Sequence, residues 1–148
     1  MKTKEIMKTP DELTDPFKGN GETLLIIDDE DSFVEVTKIL LEMAGYVVII
    51  ARDGLDGIRQ FEKNREKIDA IICDLNMPKL GGNAAVQTFL SLKPGIKILI
   101  ISGSIMEEDM PTNLIPGKIE FLRKPFLTEK LLETLRELLE NRGGQETI

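Results

Sequence analysis

Three short runs of almost purely apolar residues constrain the fold of this chain more than any other feature. They are Leu24–Ile27, Ala70–Cys73 and Ile96–Ile101, where Lys97 is the one polar residue. None of them shows the alternation expected of a strand with one face in water. Such runs are typical of strands that are covered on both faces, as in a parallel sheet. Helical patterns lie between them, so the sequence predicts an α/β fold, a three-layer sandwich of βαβ units.

Strand and helix patterns alternate five times along the chain. The apolar residues of the first helix recur at helical spacing; they are Phe33, Val36, Leu40 and Met43. Those of the second helix share one face; they are Leu55, Ile58 and Phe61. The predicted strands are 23–27, 46–50, 69–73, 96–101 and 118–122. The predicted helices are 31–44, 54–65, 82–92 and 127–141, with a weak fourth helix between 105 and 115.

The weak fourth helix contains Pro111, and Pro116 follows it. Proline inside a helix costs about 3 kcal/mol or more. We therefore expect this helix to be short, to begin near Pro111 or to be partly disordered, and to be the most mobile part of the domain. The charged, Pro- and Gly-containing residues 1–21 are predicted to be a tail or linker, residues 22–141 one domain, and residues 142–148 a C-terminal tail.

Composition excludes several classes of function. The chain has 148 residues and a net charge of −7, which suits one globular domain and argues against a nucleic-acid-binding surface. There is no histidine, which excludes Ser-His-Asp catalysis and His-ligated zinc, and the single Cys73 excludes an internal disulfide.

No run approaches the ~20 apolar residues of a membrane span, and the charged N-terminus lacks the apolar core of a signal peptide. We expect a cytoplasmic protein without membrane contact.

Polar side chains follow four of the predicted strands at the points where those strands end. They are Asp28-Asp29, Asp74, Ser102 and Lys124. The carboxyl ends of parallel strands share one edge of the sheet, where ligands bind. Three carboxylates in one place repel each other unless a cation lies among them, and oxygen ligands suit Mg²⁺. The sequence predicts a divalent-metal site with a hydroxyl and a lysine directed at a transferred anion.

Each of these residues also has a simpler interpretation. The acidic run Asp28 to Asp31 could only favour the positive end of a helix, although that explains Asp28 and Asp29 poorly because they precede the helix. Asp74 could form an Asx turn, or it could be a carboxylate nucleophile that attacks phosphorus, with the Asn76 backbone carbonyl completing a metal shell. Lys124, at the end of a buried strand, needs an anionic partner. Cys73 is interpreted as a small buried hydrophobe.

Taken together, these motifs resemble the receiver domain of two-component response regulators, over residues 22–141. The motifs are Asp28-Asp29, Asp74 with Met77-Pro78, Ser102-Gly103, and Lys124-Pro125-Phe126. The resemblance implies a flavodoxin-like, five-stranded parallel sheet of order 2-1-3-4-5, with helices on both faces. It also implies a phosphoacceptor domain in a phosphorelay, which catalyses only its own Mg²⁺-dependent phosphorylation and dephosphorylation.

The resemblance assigns a role to each site residue. Asp74 matches the phosphoacceptor, while Asp29, Asp74 and the Asn76 carbonyl match the direct Mg²⁺ ligands. Asp28 matches an acid that acts mostly through water. Ser102 matches the switch hydroxyl, Lys124 the lysine that contacts phosphate, and Phe121 the switch aromatic.

The implied partners are a histidine kinase or phosphotransfer protein and an unidentified downstream protein. The face formed by the fourth helix, the fifth strand and the last helix is a candidate dimer surface. Phe121 lacks the hydroxyl that a switch aromatic can carry, and the proline-broken fourth helix departs from the usual form of that face.

Several alternatives remain open at this level. The chain could be a free-standing regulator or a receiver from a hybrid histidine kinase, and Gly19 to Thr23 resembles the segment that precedes receivers in such kinases. An aspartate-based phosphatase would have a second acid two residues after Asp74, where this chain has Asn76. A flavin module needs a phosphate-binding loop after the first strand, where the run Asp28 to Asp31 would repel phosphate. A receiver that only binds proteins, without phosphorylation, would not need the complete acidic set.

Overall fold

The fold is built on five parallel strands. The computed structural model describes residues 18–75, 82–103 and 118–140. The strands are β1 (Thr23–Ile27), β2 (Val47–Ala51), β3 (Ile68–Asp74), β4 (Lys97–Ser102) and β5 (Ile119–Arg123), and the described helices are α1 (Asp31–Met43), α2 (Gly54–Lys63), α3 (Gly82–Leu92) and α4 (Thr128–Glu140). The strand order is β2-β1-β3-β4-β5, and every neighbouring pair is parallel. The predicted α/β fold and its 2-1-3-4-5 order are confirmed.

Two hydrophobic cores, one on each face of the sheet, explain the unbroken apolar runs. Alternate residues of one strand point to opposite faces, and in β1 both sets are fully buried: Leu24 and Ile26 pack in one core, and Leu25 and Ile27 pack in the other. The first core also contains Leu41 of α1 and the buried leucines of α4; the second contains Phe61 of α2 and Phe89 of α3. The rings of Phe61 and Phe89 meet edge to face, with centroids 5.2 Å apart.

The buried face of helix α1 only partly matches the apolar residues whose spacing predicts the helix. Its fully or nearly fully buried residues are Val34, Thr37 and Leu41. Val36 and Met43, two of the four residues whose spacing predicts the helix, are 56% and 46% exposed. The other two, Phe33 and Leu40, are partly buried, and Phe33 packs against the core. In α2, Phe61 is buried as expected but Leu55 is 52% exposed.

The segment before β1 is held against the turn between α1 and β2. The backbone N–H of Gly19 donates to the Ala44 carbonyl at 2.7 Å, and that of Gly21 donates to the Gly45 carbonyl at 2.9 Å. Arg136 of α4 donates to the Lys18 carbonyl at 2.9 Å and to the Glu22 carboxylate at 2.8 Å. Residues 18–21, which the sequence assigns to the tail, therefore contact both α1 and α4. The domain boundaries themselves stay a prediction.

Gly45 occupies a position that requires glycine. Its φ is +103°, and a Cβ there would lie 2.8 Å from the Gly19 carbonyl oxygen. Because the Gly19 backbone is hydrogen-bonded to Ala44, it has little freedom to retreat. We expect Gly45→Ala to lower the free energy of unfolding by about 2 kcal/mol, as measured by urea denaturation followed by circular dichroism. Gly95→Ala is the matched control, because a Cβ at Gly95 meets no atom within 4 Å, and it should leave stability unchanged or slightly higher.

Some predicted features lie outside the described residues. These are the weak fourth helix at 105–115, the carbonyl of Asn76, the Met77-Pro78 pair, residues 1–17 of the predicted N-terminal tail and the whole C-terminal tail. Among the helices that the structure describes, none is both long and apolar enough to cross a bilayer.

Candidate functional site

The strand register brings the predicted site residues to one edge of the sheet. Ile27 of β1 is paired with Cys73 of β3, so Asp28 and Asp74 follow paired residues on neighbouring strands. Asp74 is in turn paired with Ile101, one residue before Ser102. Ser102 is paired with Arg123, one residue before Lys124, and the Lys124 N–H donates to the Ser102 carbonyl at 2.9 Å. The parallel pairing thus gathers residues that lie up to 96 positions apart in the sequence.

Three carboxylates form the acidic part of this site. Oxygen atoms of Asp28, Asp29 and Asp74 all lie within 4.8 Å of one another. Asp28 is fully buried, Asp74 is 7% exposed, and Asp29 faces solvent. This combination leaves the cluster open on the side of Asp29, through which a hydrated ion can enter.

Asp28 is held in place at both of its carboxylate oxygens. Its Oδ1 accepts a hydrogen bond from the backbone N–H of Glu30 at 2.9 Å, and its Oδ2 accepts one from the Lys124 ammonium at 2.9 Å. Its own N–H donates to the Ala51 carbonyl at 3.1 Å. A buried carboxylate needs such partners because its charge is costly without them.

Lys124 carries the positive charge of the site. Its Nζ atom lies 2.9 Å from Asp28, 3.3 Å from Glu30 and 4.0 Å from the nearest oxygen of Asp74. Burial acts to lower the pKa of the ammonium, but the hydrogen bond and charge of Asp28, with the contributions of Asp74 and Glu30, outweigh burial and raise the pKa. Lys124 is therefore charged at neutral pH. The Lys124-Pro125 peptide bond is cis.

Two contacts of Lys124 were not predicted from the sequence. One is the Glu30 carboxylate, and the other is the ring of Phe33, whose centroid lies 4.0 Å from Nζ. The Phe33 ring also meets the ring of Phe126 edge to face, with centroids 6.0 Å apart. The available signal for the first contact was Glu30 at the N-cap of α1, because Ser, Thr, Asp and Asn are the residues usually preferred at that position.

Ser102 and Phe121 lie on the β4–β5 side of the site. Ser102 is fully buried at the end of β4. Phe121 is partly buried and packs against the core on the α2–α3 face of the sheet. Beside Lys124 there is an open cleft of about 460 Å³; its lining includes Gly103, Pro125 and Phe126.

Cys73 precedes Asp74 and is fully buried. Its thiol lies 3.5 Å from the Asp74 carbonyl, to which it donates. Burial raises the pKa of this thiol, and the charges of Asp74 and Asp28 raise it further. The thiol stays protonated, so Cys73 packs as a small hydrophobe, as the sequence indicates.

The donor set fits a hard divalent cation. Carboxylate oxygens are the ligands that Mg²⁺ prefers, and the ion usually keeps several waters. The cluster offers only oxygen atoms, and its solvent-facing side leaves room for those waters. A bound cation would also offset the mutual repulsion of the three carboxylates.

The comparisons with known proteins agree with this geometry. The family model of the response regulator receiver domain matches residues 24–136. The chain therefore belongs to the response regulator receiver domain family. The family supports neither the phosphatase nor the flavin alternative.

Individual relatives show the same relationship. PrrA, a transcriptional regulatory protein of Mycobacterium tuberculosis, is 29% identical over 124 residues, which cover 84% of this chain and 52% of PrrA. The chain thus spans about half the length of that relative. A receiver domain protein of Clostridium thermocellum has a TM-score of 0.69 and 29% identity, over 80% of this chain and 94% of that one. The receiver domain of the hybrid histidine kinase CckA has a TM-score of 0.69 and 27% identity, over 80% and 99%.

Proposed function

We propose that Asp74 accepts a phosphoryl group from a phosphohistidine on a partner kinase or phosphotransfer protein. The observation that carries this proposal is the meeting of Asp28, Asp29, Asp74 and Lys124 at one sheet edge, with oxygens of the three acids within 4.8 Å. A carboxylate cannot approach an anionic donor unless its charge is offset, and this site provides a cation-binding cluster and an ammonium for that purpose.

The proposed reaction transfers phosphorus from nitrogen to oxygen. A carboxylate oxygen of Asp74 forms a bond to phosphorus as the bond between phosphorus and the donor imidazole breaks. The electron pair of the broken bond leaves with the imidazole nitrogen, which takes up a proton. Asp74 becomes an acyl phosphate, which water later hydrolyses. The chain acts only on itself in these steps.

The remaining residues would hold the reacting groups. Both oxygens of Asp28 already accept hydrogen bonds, which favours Asp29 and Asp74 as direct Mg²⁺ ligands, with Asp28 acting through water. The Asn76 carbonyl is proposed as a further ligand from the resemblance to the family. Bound Mg²⁺ supplies charge neutralisation between Asp74 and the incoming phosphoryl group. Lys124 and the Ser102 hydroxyl would then donate to the phosphoryl oxygens.

Phosphorylation would act as a switch between two states. It adds about −1.5 to −2 charges at Asp74. Movement of Ser102 toward this charge would leave space that Phe121 can occupy, and the populations of the two states would shift. We propose that the face of β5 and α4, together with the helix that the sequence predicts at 105–115, reports the change to a downstream protein or to a second copy of the chain.

The setting of the domain is also part of the proposal. The relatives include a transcriptional regulator and the receiver domain of a hybrid kinase. These relatives support both a response regulator and a hybrid kinase as the protein in which this domain works. Phosphohistidine donors obtain their phosphoryl group from ATP, which supports a cytoplasmic location. We propose residues 22–141 as the receiver, between tails at 1–21 and 142–148.

Labelling with a small phosphodonor tests the proposed function. We expect the purified chain to gain one phosphoryl group from acetyl phosphate when Mg²⁺ is present, as measured by intact-protein mass spectrometry. An excess of EDTA should abolish the labelling, because Asp74 then keeps its full negative charge. Equal labelling with and without EDTA would contradict the metal-dependent mechanism, and no labelling under either condition would contradict the phosphoacceptor role.

A further inference from the structure

Glu30 contacts Lys124 in a way that the proposed reaction does not use. Glu30 is the N-cap residue of α1, yet its side chain makes no capping hydrogen bond to that helix. Its carboxylate Oε1 instead accepts a hydrogen bond from the Lys124 ammonium at 3.3 Å. The Glu30 side chain is 59% exposed, whereas that of Lys124 is 18% exposed. The Glu30 carboxylate therefore contacts the Lys124 ammonium while most of the Glu30 side chain stays exposed.

The ring of Phe33 contacts the same ammonium. Its centroid lies 4.0 Å from Nζ, within the range of a cation–π contact. The ring is fixed by its edge-to-face contact with Phe126 and by packing against the core on the α1–α4 face. Glu30, Phe33 and Asp28 thus define a resting position of the ammonium that is 4.0 Å from Asp74.

We propose that Glu30, supported by the ring of Phe33, is a positioning residue that competes with the phosphoryl group for Lys124. This proposal rests on the proposed function of Asp74. A phosphoryl group arriving at Asp74 draws the ammonium toward its oxygens. Before Lys124 can pair fully with that group, it gives up its contact with Glu30. The Glu30 contact therefore slows phosphorylation and sets how readily the site responds to a donor.

Three substitutions separate this contact from a general effect of charge. Glu30→Asp keeps the negative charge but shortens the side chain by one methylene, so the carboxylate withdraws from Nζ. Asp31→Asn removes a neighbouring negative charge and leaves Glu30 in place. Asp31 is 76% exposed and forms an ion pair with Arg52 on the surface, so it lies outside the proposed site. Glu30→Gln removes both the charge and the ion pair.

The measurement is the rate of labelling by acetyl phosphate at saturating Mg²⁺ and fixed ionic strength. We expect Glu30→Gln and Glu30→Asp each to raise the maximal rate by about two- to fivefold, as suits the loss of an exposed ion pair. Asp31→Asn should leave the maximal rate unchanged. The Mg²⁺ concentration at half-maximal rate should rise in Glu30→Gln and Asp31→Asn alike, because both remove a negative charge close to the metal cluster.

Three outcomes decide the proposal. Faster labelling in both Glu30 variants but not in Asp31→Asn supports it. Equal acceleration in Glu30→Gln and Asp31→Asn, with no acceleration in Glu30→Asp, overturns it in favour of a general charge effect. Unchanged or slower labelling in both Glu30 variants overturns it as well. Absence of labelling in the wild-type chain would instead refute the proposed function of Asp74, so the two failures are distinguishable.

Discussion

Asp74→Asn is expected to reduce labelling by acetyl phosphate to background. An amide is a poor nucleophile toward phosphorus and cannot form the acyl phosphate, while its shape is almost that of the carboxylate. Asp74 is 7% exposed within an acidic cluster, so removal of its charge relieves repulsion and should not unfold the domain. Intact-protein mass spectrometry measures the loss of label, and a urea denaturation curve shows that the variant is folded.

The control for this prediction lies on the same strand. Asp69 is an exposed residue near the other end of β3, where its carboxylate accepts a hydrogen bond from the Thr23 N–H at 2.9 Å. Asp69→Asn keeps an oxygen that can accept this bond, and it should be labelled as fast as the wild-type chain. Wild-type labelling of Asp74→Asn, with the phosphoryl group mapped to another carboxylate, would contradict the assignment of Asp74.

Arg136→Ala is expected to lower the free energy of unfolding by about 3 kcal/mol. The Arg136 side chain is 8% exposed and that of Glu22 is 19% exposed, and they form an ion pair at 2.8 Å. Truncation leaves the Glu22 carboxylate partly buried without its main cationic partner, and it removes the hydrogen bond to the Lys18 carbonyl. Urea denaturation followed by circular dichroism measures the loss.

A surface ion pair is the matched control for Arg136. Arg59, on α2, pairs with Asp56 at 2.7 Å, but its side chain is 71% exposed. Arg59→Ala should therefore cost less than about 1 kcal/mol. Replacement of both Arg136 and Glu22 by methionine should recover much of the stability that Arg136→Ala loses, because no charge is then left buried. Equal, small effects of the two alanine variants would contradict a structural role for the Glu22–Arg136 pair.

The pH dependence of stability gives an independent check on this pair. Burial acts to raise the pKa of Glu22, but hydrogen bonds from Arg136 and from the Asn20 backbone outweigh burial and lower it. A carboxylate with a lowered pKa in the folded state adds stability above its unfolded pKa, about 4.3, and loses it as the pH falls through the folded pKa. The difference in stability between wild type and Arg136→Ala should therefore narrow as the pH falls below about 4.

The strands were more predictable from the sequence than the faces of the helices. The run Leu24 to Ile27 is apolar without a break, which is typical of a strand buried on both faces. Its strand bounds and the parallel sheet therefore follow from the order of the residues. Helix α1 has apolar residues on more than one face, and periodicity does not tell which of them are buried. Val36 and Met43 stay exposed, whereas Val34, Thr37 and Leu41 are buried.

The site was predictable as far as it depends on strand ends. Asp28, Asp74 and Lys124 meet because parallel strands end at a common edge, a rule that needs no coordinates. Glu30 and Phe33 reach Lys124 from the start of a helix, where their direction depends on how α1 packs against the sheet. The Glu22–Arg136 pair spans 114 positions and carries no local motif, so no spacing rule could indicate it.

The position of a bound cation tests the central claim most directly. Crystals grown with Mn²⁺ in place of Mg²⁺ would show the ion by its anomalous scattering. We predict one peak at the carboxyl edge of the sheet, about 2.1 Å from carboxylate oxygens of Asp29 and Asp74. A peak elsewhere on the surface, or no peak among these carboxylates at saturating Mn²⁺, would contradict the metal-assisted phosphoacceptor site.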